Sequence, residues 1–301
     1  MPHTSTHTHA ADAGLSLVAG VDGNIGHALY QRLIELGRPV VGTTRRAIHT
    51  DNADHAGRLI PLDLAQSPDT WNIPAGVTIA YLCAGVAVID QCRLQPEATR
   101  RVNCDGTIAL AQMLAARGVK VVYLSTNQVF DGSISHRRAG DAPCPITEYG
   151  RQKATTEQAI AQLGDKGVIV RLTKVLPPAA PLLAGWKNAL QAGQSVTPFH
   201  DMRMAPVSRD LVVQTLLRIA DHPSPLPVVH VSGSEDVTYE QAARFIARQI
   251  GAAESLIHPI SARSAGLPVE ATPLHTTLET TSLQSLGLDA PSPWDAIAQA
   301  M

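Results

Sequence analysis

Short apolar runs alternate with amphipathic stretches along the chain as far as residue 172. The apolar runs predict buried strands at 15–19, 39–44, 59–64, 77–85, 119–124 and 168–172. Apolar residues at helical spacing predict helices at 27–37, 96–117 and 149–163. Strands separated by helices are typical of βαβ units, so we expect a parallel sheet with helices on both faces.

This rhythm weakens after residue 173. Helix-like stretches at 211–220 and 239–250, a strand-like run at 227–231 and a short amphipathic helix at 294–300 follow, without an internal repeat. We expect this part to fold as a smaller lobe over the strand ends, where it would close a pocket.

Three glycines, Gly20, Gly23 and Gly26, separate the first predicted strand from the first helix. A strand, a glycine turn and a helix place free backbone N–H groups and a helix N-terminus against a pyrophosphate. Glycine is required because a Cβ would block both the tight turn and the approach of the phosphates. The predicted cofactor-binding residues of this turn are Gly20, Asp22, Gly23, Asn24 and Ile25.

Glycine triplets also arise by chance, and the flanking strand and helix are what favour a dinucleotide site. The sequence therefore predicts an α/β fold with a Rossmann-type doubly wound parallel sheet and a smaller C-terminal substrate lobe. We expect a flexible tail at 1–13, a dinucleotide-binding domain at 14–173 and a smaller lobe at 174–301 that is partly interleaved with it.

The end of the second predicted strand carries Thr43, Thr44, Arg45 and Arg46 and no carboxylate. An acid at this place would bind the adenosine 2′-hydroxyl of NAD, whereas guanidinium groups pair with the 2′-phosphate of NADP. NADP(H) is therefore the expected cofactor and NAD(H) the alternative. The competing interpretation is that both arginines are solvated surface residues.

Two further strand ends extend the predicted cofactor site. Asp63 and Leu64 end the third strand, where Asp63 would contact the adenine amino group or only cap the following turn. Ala84 and Gly85 close the fourth strand, and their small size would let the backbone lie close under the cofactor.

Composition and charge restrict the class of protein. With 301 residues, 45% of them hydrophobic and 17% charged, the chain has the composition of an ordinary soluble globular protein. A formal net charge of −2 argues against nucleic-acid binding, and no apolar stretch reaches the roughly 20 residues that span a bilayer. The lack of a secretory signal and of paired cysteine motifs predicts a reduced, cytoplasmic protein without a membrane partner or a metal site.

Candidate catalytic residues follow the fifth predicted strand. Ser125 and Thr126 end that strand, and Tyr149 and Lys153 share one face of the next helix because they are four residues apart. A lysine ammonium one turn away favours the phenolate and would lower the pKa of Tyr149 from its usual value of about 10. The competing interpretation is an ordinary tyrosine and a surface lysine, and the preceding motifs favour the catalytic one.

Taken in order, these motifs resemble the extended short-chain dehydrogenase/reductase family. Residues 20–26 match its G-x-x-G-x-x-G spacing, 102–107 match its V-N-x-x-G-T motif, and 203–210 resemble its substrate-lobe signature. Residues 123–132 are most similar to the dTDP-4-dehydrorhamnose reductase branch, which carries Y-x-S-T-D-x-V-F-D-G. Asn127 and Gln128 depart from that branch, which usually has Asp and often Tyr there, and an amide lacks the charge of a carboxylate.

The resemblance implies hydride transfer from NADPH, with Tyr149 as the proton donor. It implies that Lys153 also holds the nicotinamide ribose, and that Thr126, rather than Ser125, binds the developing oxyanion. By the same resemblance Asn103 would help to relay protons. The alternative for Asn103 is that it only satisfies a backbone group.

The predicted substrate-binding residues are Ser125, Asn127, Lys174, Trp186 and Arg203. Arg203 would pair with a nucleotide diphosphate, with Lys174 nearby. Trp186 would stack on a base or sugar, or would serve as an apolar anchor between the lobes.

The expected function is NADP-dependent reduction of a nucleotide-linked 4-keto-6-deoxy sugar. The nearest alternative is a nucleotide-sugar epimerase of the same family, whereas Asn127 and Gln128 argue against a dehydratase. An alternative of another class is a non-catalytic NADP-binding regulatory subunit, like that of methionine adenosyltransferase. The sequence leaves the sugar, the product stereochemistry and the oligomeric state open, a homodimer included.

Overall fold

The computed structural model describes residues 14–46, 58–268, 270 and 272–301, so the predicted tail at 1–13 lies outside the described residues. The strands are β1 Leu15–Ala19, β2 Val40–Thr44, β3 Arg58–Pro61, β4 Val77–Leu82, β5 Lys120–Thr126, β6 Gly167–Leu172, β7 Lys174–Leu176, β8 Arg203–Met204, β9 Pro206–Ser208, β10 Val228–Val231 and β11 Val237–Thr238. The α-helices are α1 Asn24–Glu35, α2 Ile89–Leu94, α3 Pro96–Arg100, α4 Thr107–Ala116, α5 Glu148–Ala161, α6 Pro181–Gln191, α7 Arg209–Asp221, α8 Tyr239–Ile250, α9 Thr281–Gln284 and α10 Pro293–Gln299.

Seven strands form one parallel sheet in the order β10-β6-β5-β4-β1-β2-β3. This topology confirms the predicted doubly wound α/β fold. The strand order reverses between β1 and β4, and ligands of such sheets bind outside the carboxyl ends of the strands at that reversal. Strand β10 follows residue 173 in the chain and yet completes the sheet, so the two predicted parts share it.

Two elements differ in extent from their predictions. Strand β3 ends at Pro61 rather than Leu64 because the chain turns there, and a carboxylate oxygen of Asp63 accepts the N–H of Ala65 at 2.9 Å. The helix predicted at 96–117 is interrupted between α3 and α4 by one π-helical turn over Arg101–Gly106. Such turns are frequent at functional sites.

Apolar side chains cover both faces of the sheet. On one face, α1 and α7 pack against it through a core that includes Leu29, Val122 and Leu216. On the other, α4 and α5 pack through a core that includes Leu110 and Ile160. Both faces are therefore dry, as the near-continuous apolar character of the strands requires.

The C-terminal part has an apolar cluster of its own, to which Leu183, Tyr239, Ile246 and Ile297 belong. These residues come from α6, α8 and α10. Short strand pairs, β8 with β11 and β7 with β9, flank this cluster. The domain boundary at residue 173 stays a prediction. In the described part of the chain, every helix is too short or too polar to cross a membrane.

Candidate active site

The glycine turn joins β1 to α1 and cannot tolerate larger residues. Gly20 has a φ of +92°, and a Cβ there would lie 2.7 Å from the Cα of Ala84. A Cβ on Gly26 would lie 2.2 Å from the carbonyl oxygen of Gly20. Within the described residues, no side chain caps α1, and its first turn, from Asn24, carries no acid. Its first N–H groups can therefore bind an anion.

A cavity of about 230 Å³ lies between this turn and the ends of β2 and β4. Of the predicted cofactor residues, this glycine-turn cavity is lined by Gly20, Asp22, Gly23, Arg45, Asp63, Leu64, Ala84 and Gly85. Asn24, Ile25, Arg46 and Asn103 lie outside its lining. The uncapped helix and the small residues around it fit the phosphates and adenosine of a dinucleotide.

A carboxylate does stand at the end of β2, and the glycine turn supplies it. The hydroxyl of Thr44 donates to Oδ2 of Asp22 at 2.7 Å, and Nε of Arg46 lies 3.4 Å from Oδ1. The strand end itself carries no acid, as the sequence shows, but the fold brings the carboxylate of Asp22 to it. Asp22 precedes Thr44 by 22 residues, so no local pattern linked them. Arg45 also lines the cavity. The cavity therefore has an acid that suits the 2′-hydroxyl of NAD and an arginine that suits the 2′-phosphate of NADP.

Asn103 holds the backbone that follows β4. Its Oδ1 accepts the N–H of Val86 at 2.7 Å, and its Nδ2 donates to the carbonyl oxygen of Val86 at 2.9 Å. Nδ2 also donates to Oε1 of Gln152 at 2.9 Å. These contacts favour the backbone role for Asn103 over the proton relay. The carboxylate of Asp63 caps its own turn, which favours the capping role over contact with the adenine amino group.

A larger cavity, of about 340 Å³, lies at the carboxyl end of β5. Of the predicted catalytic and substrate residues, this Tyr149 cavity is lined by Thr126, Asn127, Tyr149, Lys174 and Arg203. The fold therefore brings together side chains from β5, α5, β7 and β8. The predicted residues Ser125, Lys153 and Trp186 are not part of the lining.

Helix α5 presents Tyr149 and Lys153 on one face, and Thr147 caps its N-terminus. Nζ of Lys153 donates to the carbonyl oxygen of Leu124 at 2.8 Å and lies 5.8 Å from the centre of the Tyr149 ring. A Cβ on Gly85 would lie 3.8 Å from the same Nζ. The amine is therefore placed between the glycine-turn cavity and the phenol.

Burial controls the ionisation of both groups. Burial raises the pKa of Tyr149 above its ordinary value of 10.0, and hydrogen bonding to the Thr126 side chain opposes this only in part. Burial also lowers the pKa of Lys153 to about 8, against the charge of Glu157, which raises it. The expected lowering of the Tyr149 pKa by lysine is therefore wrong in this arrangement, because desolvation of the buried phenol is the largest effect and raises the pKa. At neutral pH the phenol keeps its proton.

Asn127 connects Thr126 to the C-terminal part of the chain. The hydroxyl of Thr126 accepts the N–H of Gln128 at 3.2 Å and lies 3.4 Å from Oδ1 of Asn127. Nδ2 of Asn127 donates to the carbonyl oxygen of Thr276 at 3.3 Å. A carboxylate has no hydrogen to donate to that carbonyl. The amide that departs from the related branch thus makes a contact that Asp would lose.

Two predicted substrate residues lie away from the cavity. Ser125 is buried, and its hydroxyl has no hydrogen-bond partner among the described residues. Trp186 packs edge-on against Tyr239, with ring centres 6.3 Å apart, in the C-terminal apolar cluster. Trp186 is thus an apolar packing residue within the C-terminal part rather than an anchor between the lobes, whereas Tyr239 lines the cavity together with Phe130 and Tyr149.

A buried ion pair supports α5 against β6. Nη2 of Arg171 lies 2.7 Å from Oε2 of Glu157, and the two side chains are 4% and 3% exposed. Arg171 is in register with Ser125, and Glu157 lies one turn beyond Lys153. The pair therefore fixes the helix that carries the candidate acid to the strand beside the site.

Sequence reasoning missed charged residues that come from loops. Asp131, Arg137, Glu270 and His275 all line the Tyr149 cavity. Each lies in a stretch without helical or strand periodicity. Residues 129–132 belong to the motif at 123–132, but no signal in the sequence connects the loop residues with the cavity.

The parallel sheet, the glycine turn and the Tyr149–Lys153 pair beside a second cavity define a dinucleotide-binding oxidoreductase fold. The chain belongs to the family described as RmlD substrate binding domain, whose family model matches residues 16–301. This confirms the resemblance to the dTDP-4-dehydrorhamnose reductase branch.

Curated relatives match the chain at low identity. The chain is 27% identical over 293 residues to the "Probable low-salt glycan biosynthesis reductase Agl14" of Haloferax volcanii, covering 94% of this chain and 96% of the relative. It is 28% identical over 289 residues to the dTDP-4-keto-6-deoxy-D-glucose reductase of Streptomyces niveus, covering 94% and 95%. It is also 27% identical over 233 residues to methionine adenosyltransferase 2 subunit beta of Pongo abelii, covering 70% and 66%. The reductases among them support an oxidoreductase.

Solved structures match the fold over nearly the full chain. The dTDP-4-dehydrorhamnose reductase of Bacillus anthracis, in complex with NADP, superposes with a TM-score of 0.78 at 19% identity, covering 96% of this chain and 98% of that one. The dTDP-glucose 4,6-dehydratase of Streptomyces venezuelae, with NAD bound, has a TM-score of 0.75 at 19% identity, covering 95% of each. Both dinucleotides occur among structures of this fold, which supports a nicotinamide dinucleotide cofactor here.

Proposed function

We propose that this protein reduces the keto group of a nucleotide-linked 4-keto-6-deoxy sugar, using a nicotinamide dinucleotide. The observation that carries the proposal is the position of Tyr149 and Lys153. The phenol lines the larger cavity, and the amine beside it adjoins Gly85 of the glycine-turn cavity. A ketone bound against Tyr149 would then lie next to the site of the cofactor.

The dinucleotide, when bound, would supply the hydride. Tyr149 would donate its proton to the carbonyl oxygen, and its raised pKa keeps the phenol in the protonated form that a donor needs. The hydroxyl of Thr126 would hydrogen-bond the developing oxyanion. Lys153 would hold the ribose hydroxyls and place positive charge beside the phenolate that forms.

For the cofactor we retain NADP(H) as the preferred dinucleotide, with NAD(H) also accepted. The guanidinium groups of Arg45 and Arg46 would pair with a 2′-phosphate. Asp22 supports the alternative, because its carboxylate would accept a hydrogen bond from a 2′-hydroxyl. Since Arg46 lies 3.4 Å from Asp22, the two charges offset each other in part and the preference would be modest.

For the substrate we propose a sugar joined to a nucleotide diphosphate. Lys174 and Arg203 line one part of the Tyr149 cavity and carry the charge that a diphosphate requires. The names of the reductase relatives point to the same class of substrate.

The test is oxidation of NADPH or NADH in the presence of dTDP-4-keto-6-deoxyglucose and related keto sugars. We expect turnover by the wild-type protein and a loss of roughly 10²- to 10⁴-fold for Tyr149→Phe, with dinucleotide affinity retained. Tyr30→Phe is the matched control, because it removes a buried hydroxyl that has no hydrogen-bond partner in the described residues. Tight dinucleotide binding without turnover of any keto sugar would contradict the proposal.

The similarity to methionine adenosyltransferase 2 subunit beta favours a second candidate, a dinucleotide-binding regulatory subunit. Such a protein would bind NADPH with no turnover and no effect of Tyr149→Phe on its activity toward a partner. A nucleotide-sugar epimerase is the remaining alternative. It would keep its dinucleotide through purification and interconvert sugars without net oxidation of added NADPH.

A further inference from the structure

Asp236 carries a buried carboxylate whose direction is fixed by hydrogen bonds. Its side chain is 8% exposed. Oδ1 accepts the backbone N–H of Thr276 at 2.9 Å and the hydroxyl of the same residue at 2.5 Å. Oδ2 accepts the hydroxyl of Thr277 at 3.3 Å and faces Nδ1 of His275 at 3.5 Å. The two threonines therefore hold the carboxylate against one nitrogen of the imidazole.

The segment that carries His275 is attached to the end of the catalytic strand. The N–H of His275 donates to the carbonyl oxygen of Gly132 at 2.9 Å. The next residue, Thr276, accepts the amide hydrogen of Asn127 at 3.3 Å. Because Asn127 directly follows Thr126, these bonds attach the segment of His275 to the end of β5, while Asp236 directly precedes β11, the partner of β8.

One nitrogen of the imidazole lies 3.5 Å from the carboxylate, at ion-pair distance, and the other is available to a ligand. A carboxylate beside Nδ1 favours the proton on that nitrogen, so Nε2 of the neutral ring keeps its lone pair. Among the described residues, Nε2 of His275 has no hydrogen-bond partner, and the ring lines the cavity with 38% of the side chain exposed. A hydroxyl is the group that such a nitrogen accepts from.

Of the other charged residues of the wall, Glu270 is also an acceptor, and the remaining ones are less suited to this role. Asp131 is already paired with Arg137 at 3.3 Å. Lys174 and Arg203 are donors and not acceptors. His275 thus provides an acceptor in the lining of the cavity that Thr126 also lines.

We propose that His275, oriented by Asp236, binds a hydroxyl of the sugar ring and so favours a sugar nucleotide over the free nucleotide. The inference rests on the proposed function in that the Tyr149 cavity takes a nucleotide-linked sugar. His275 would then be a specificity-determining residue. It would accept a hydroxyl in a cavity where Asn127 has an uncharged amide in place of the carboxylate of the related branch.

The experiment compares the affinity for dTDP and for dTDP-glucose by calorimetric titration of the dinucleotide-loaded protein, with UDP and UDP-glucose as a second pair. We expect His275→Ala to weaken binding of the sugar nucleotide by about tenfold, the loss of about one hydrogen bond. Binding of the free nucleotide should change by less than about twofold. His275→Gln should recover part of the loss because its amide oxygen accepts, and Asp236→Asn should act in the direction of His275→Ala.

The matched control is His222→Ala, since that imidazole contacts the backbone of Ser224 and is not part of the lining. A purely structural role would lower the Tm of His275→Ala, weaken both ligands equally and show no recovery in His275→Gln. That result would overturn the inference, and so would unchanged affinities or a wild-type protein that binds sugar nucleotides no better than nucleotides. A protein that passes this test and yet fails to oxidise NADPH with keto sugars would instead refute only the reductase proposal.

Discussion

Lys153 donates a hydrogen bond from Nζ to the carbonyl oxygen of Leu124 at 2.8 Å. Leu124 lies two residues before Thr126 on β5, so this bond fixes α5 to the strand that ends at the Tyr149 cavity. The same Nζ lies 4.7 Å from the centre of the Tyr123 ring. A neutral carbonyl and aromatic rings stabilise an ammonium less than water does, which is why burial lowers its pKa.

The first prediction concerns pH. The ammonium of Lys153 titrates with a pKa of about 8, and Tyr149 keeps its proton in that range because its own pKa is raised. We therefore expect kcat/KM, which reports the free enzyme, to fall as the pH rises through about 8.

Unfolding does not explain such a fall. Burial puts the pKa of folded Lys153 below its ordinary value of 10.5, so the unfolded chain binds more protons between about pH 8 and 10.5. The contribution of this group to stability therefore rises with pH over that window. Parallel denaturation curves would check this, and a kcat/KM that is constant up to about pH 10 would contradict the role of the ammonium.

The second prediction concerns the choice of dinucleotide. Asp22→Asn removes the negative charge that strengthens the hydrogen bond to a 2′-hydroxyl and repels a 2′-phosphate, so the ratio of the Kd values for NADH and NADPH should rise by about tenfold. Arg45→Ala combined with Arg46→Ala should move the ratio in the other direction. Fluorescence titration without substrate measures both.

The control for the dinucleotide experiment is Asp90→Asn, which removes the charge of an exposed acid whose ion pair in the described part of the chain is with Arg93. It should leave both affinities unchanged. Equal changes in the Kd values for NADH and NADPH in the Asp22 variant would mean that this carboxylate does not distinguish a 2′-hydroxyl from a 2′-phosphate.

The third prediction concerns Asn127. Asn127→Asp restores the residue of the related branch but replaces the donor to the carbonyl oxygen of Thr276 with a carboxylate. We expect kcat/KM to fall by an amount equivalent to about 1–3 kcal/mol of activation free energy. The reason is that the carboxylate of the variant and the carbonyl oxygen of Thr276 are both acceptors and would face each other. Asn188→Asp, in α6, is a control for the charge change alone. An improved kcat/KM would show that the branch's acid has a catalytic role here too.

The fourth prediction concerns the buried pair of Arg171 and Glu157. Glu157→Gln leaves the guanidinium of Arg171 buried without a charged partner and should lower the free energy of unfolding by about 3–5 kcal/mol. The exposed pair of Arg32 and Glu35 provides the comparison, since Glu35→Gln should cost less than about 1 kcal/mol. Urea denaturation measures the free energy of unfolding of both variants. If Glu157→Gln cost as little as Glu35→Gln, the pair of Arg171 and Glu157 would stabilise the fold no more than an exposed, solvent-screened pair.

Much of the fold could be predicted from local patterns. The parallel sheet, the glycine turn and the face shared by Tyr149 and Lys153 all follow from periods of two to four residues or from adjacent positions. The end of β3 was predicted too late because Leu62 and Leu64 are buried in a turn and not in a strand. An apolar side chain reports burial, and burial alone does not distinguish a strand from a packed turn.

The site was predicted less completely than the fold. Trp186 packs in the C-terminal cluster, and Ser125 lies outside the cavity although it directly precedes Thr126 of the lining. Burial also reversed the direction expected for the pKa of Tyr149. Desolvation depends on every neighbour of the phenol, and the spacing of two residues cannot report it.

Local patterns alone predict the alternating strands and helices of the sheet up to residue 172, the glycine turn that a Cβ would block, and the pairing of Tyr149 with Lys153 on one helical face. Which distant groups meet depends on the packed fold. It brought Asp22 to Thr44 at the end of β2, and it brought His275 from a loop without periodicity into the cavity of Thr126. The reason is physical: backbone geometry imposes short repeats that a sequence displays, whereas the contacts between loops depend on how the packed sheet and helices arrange their ends.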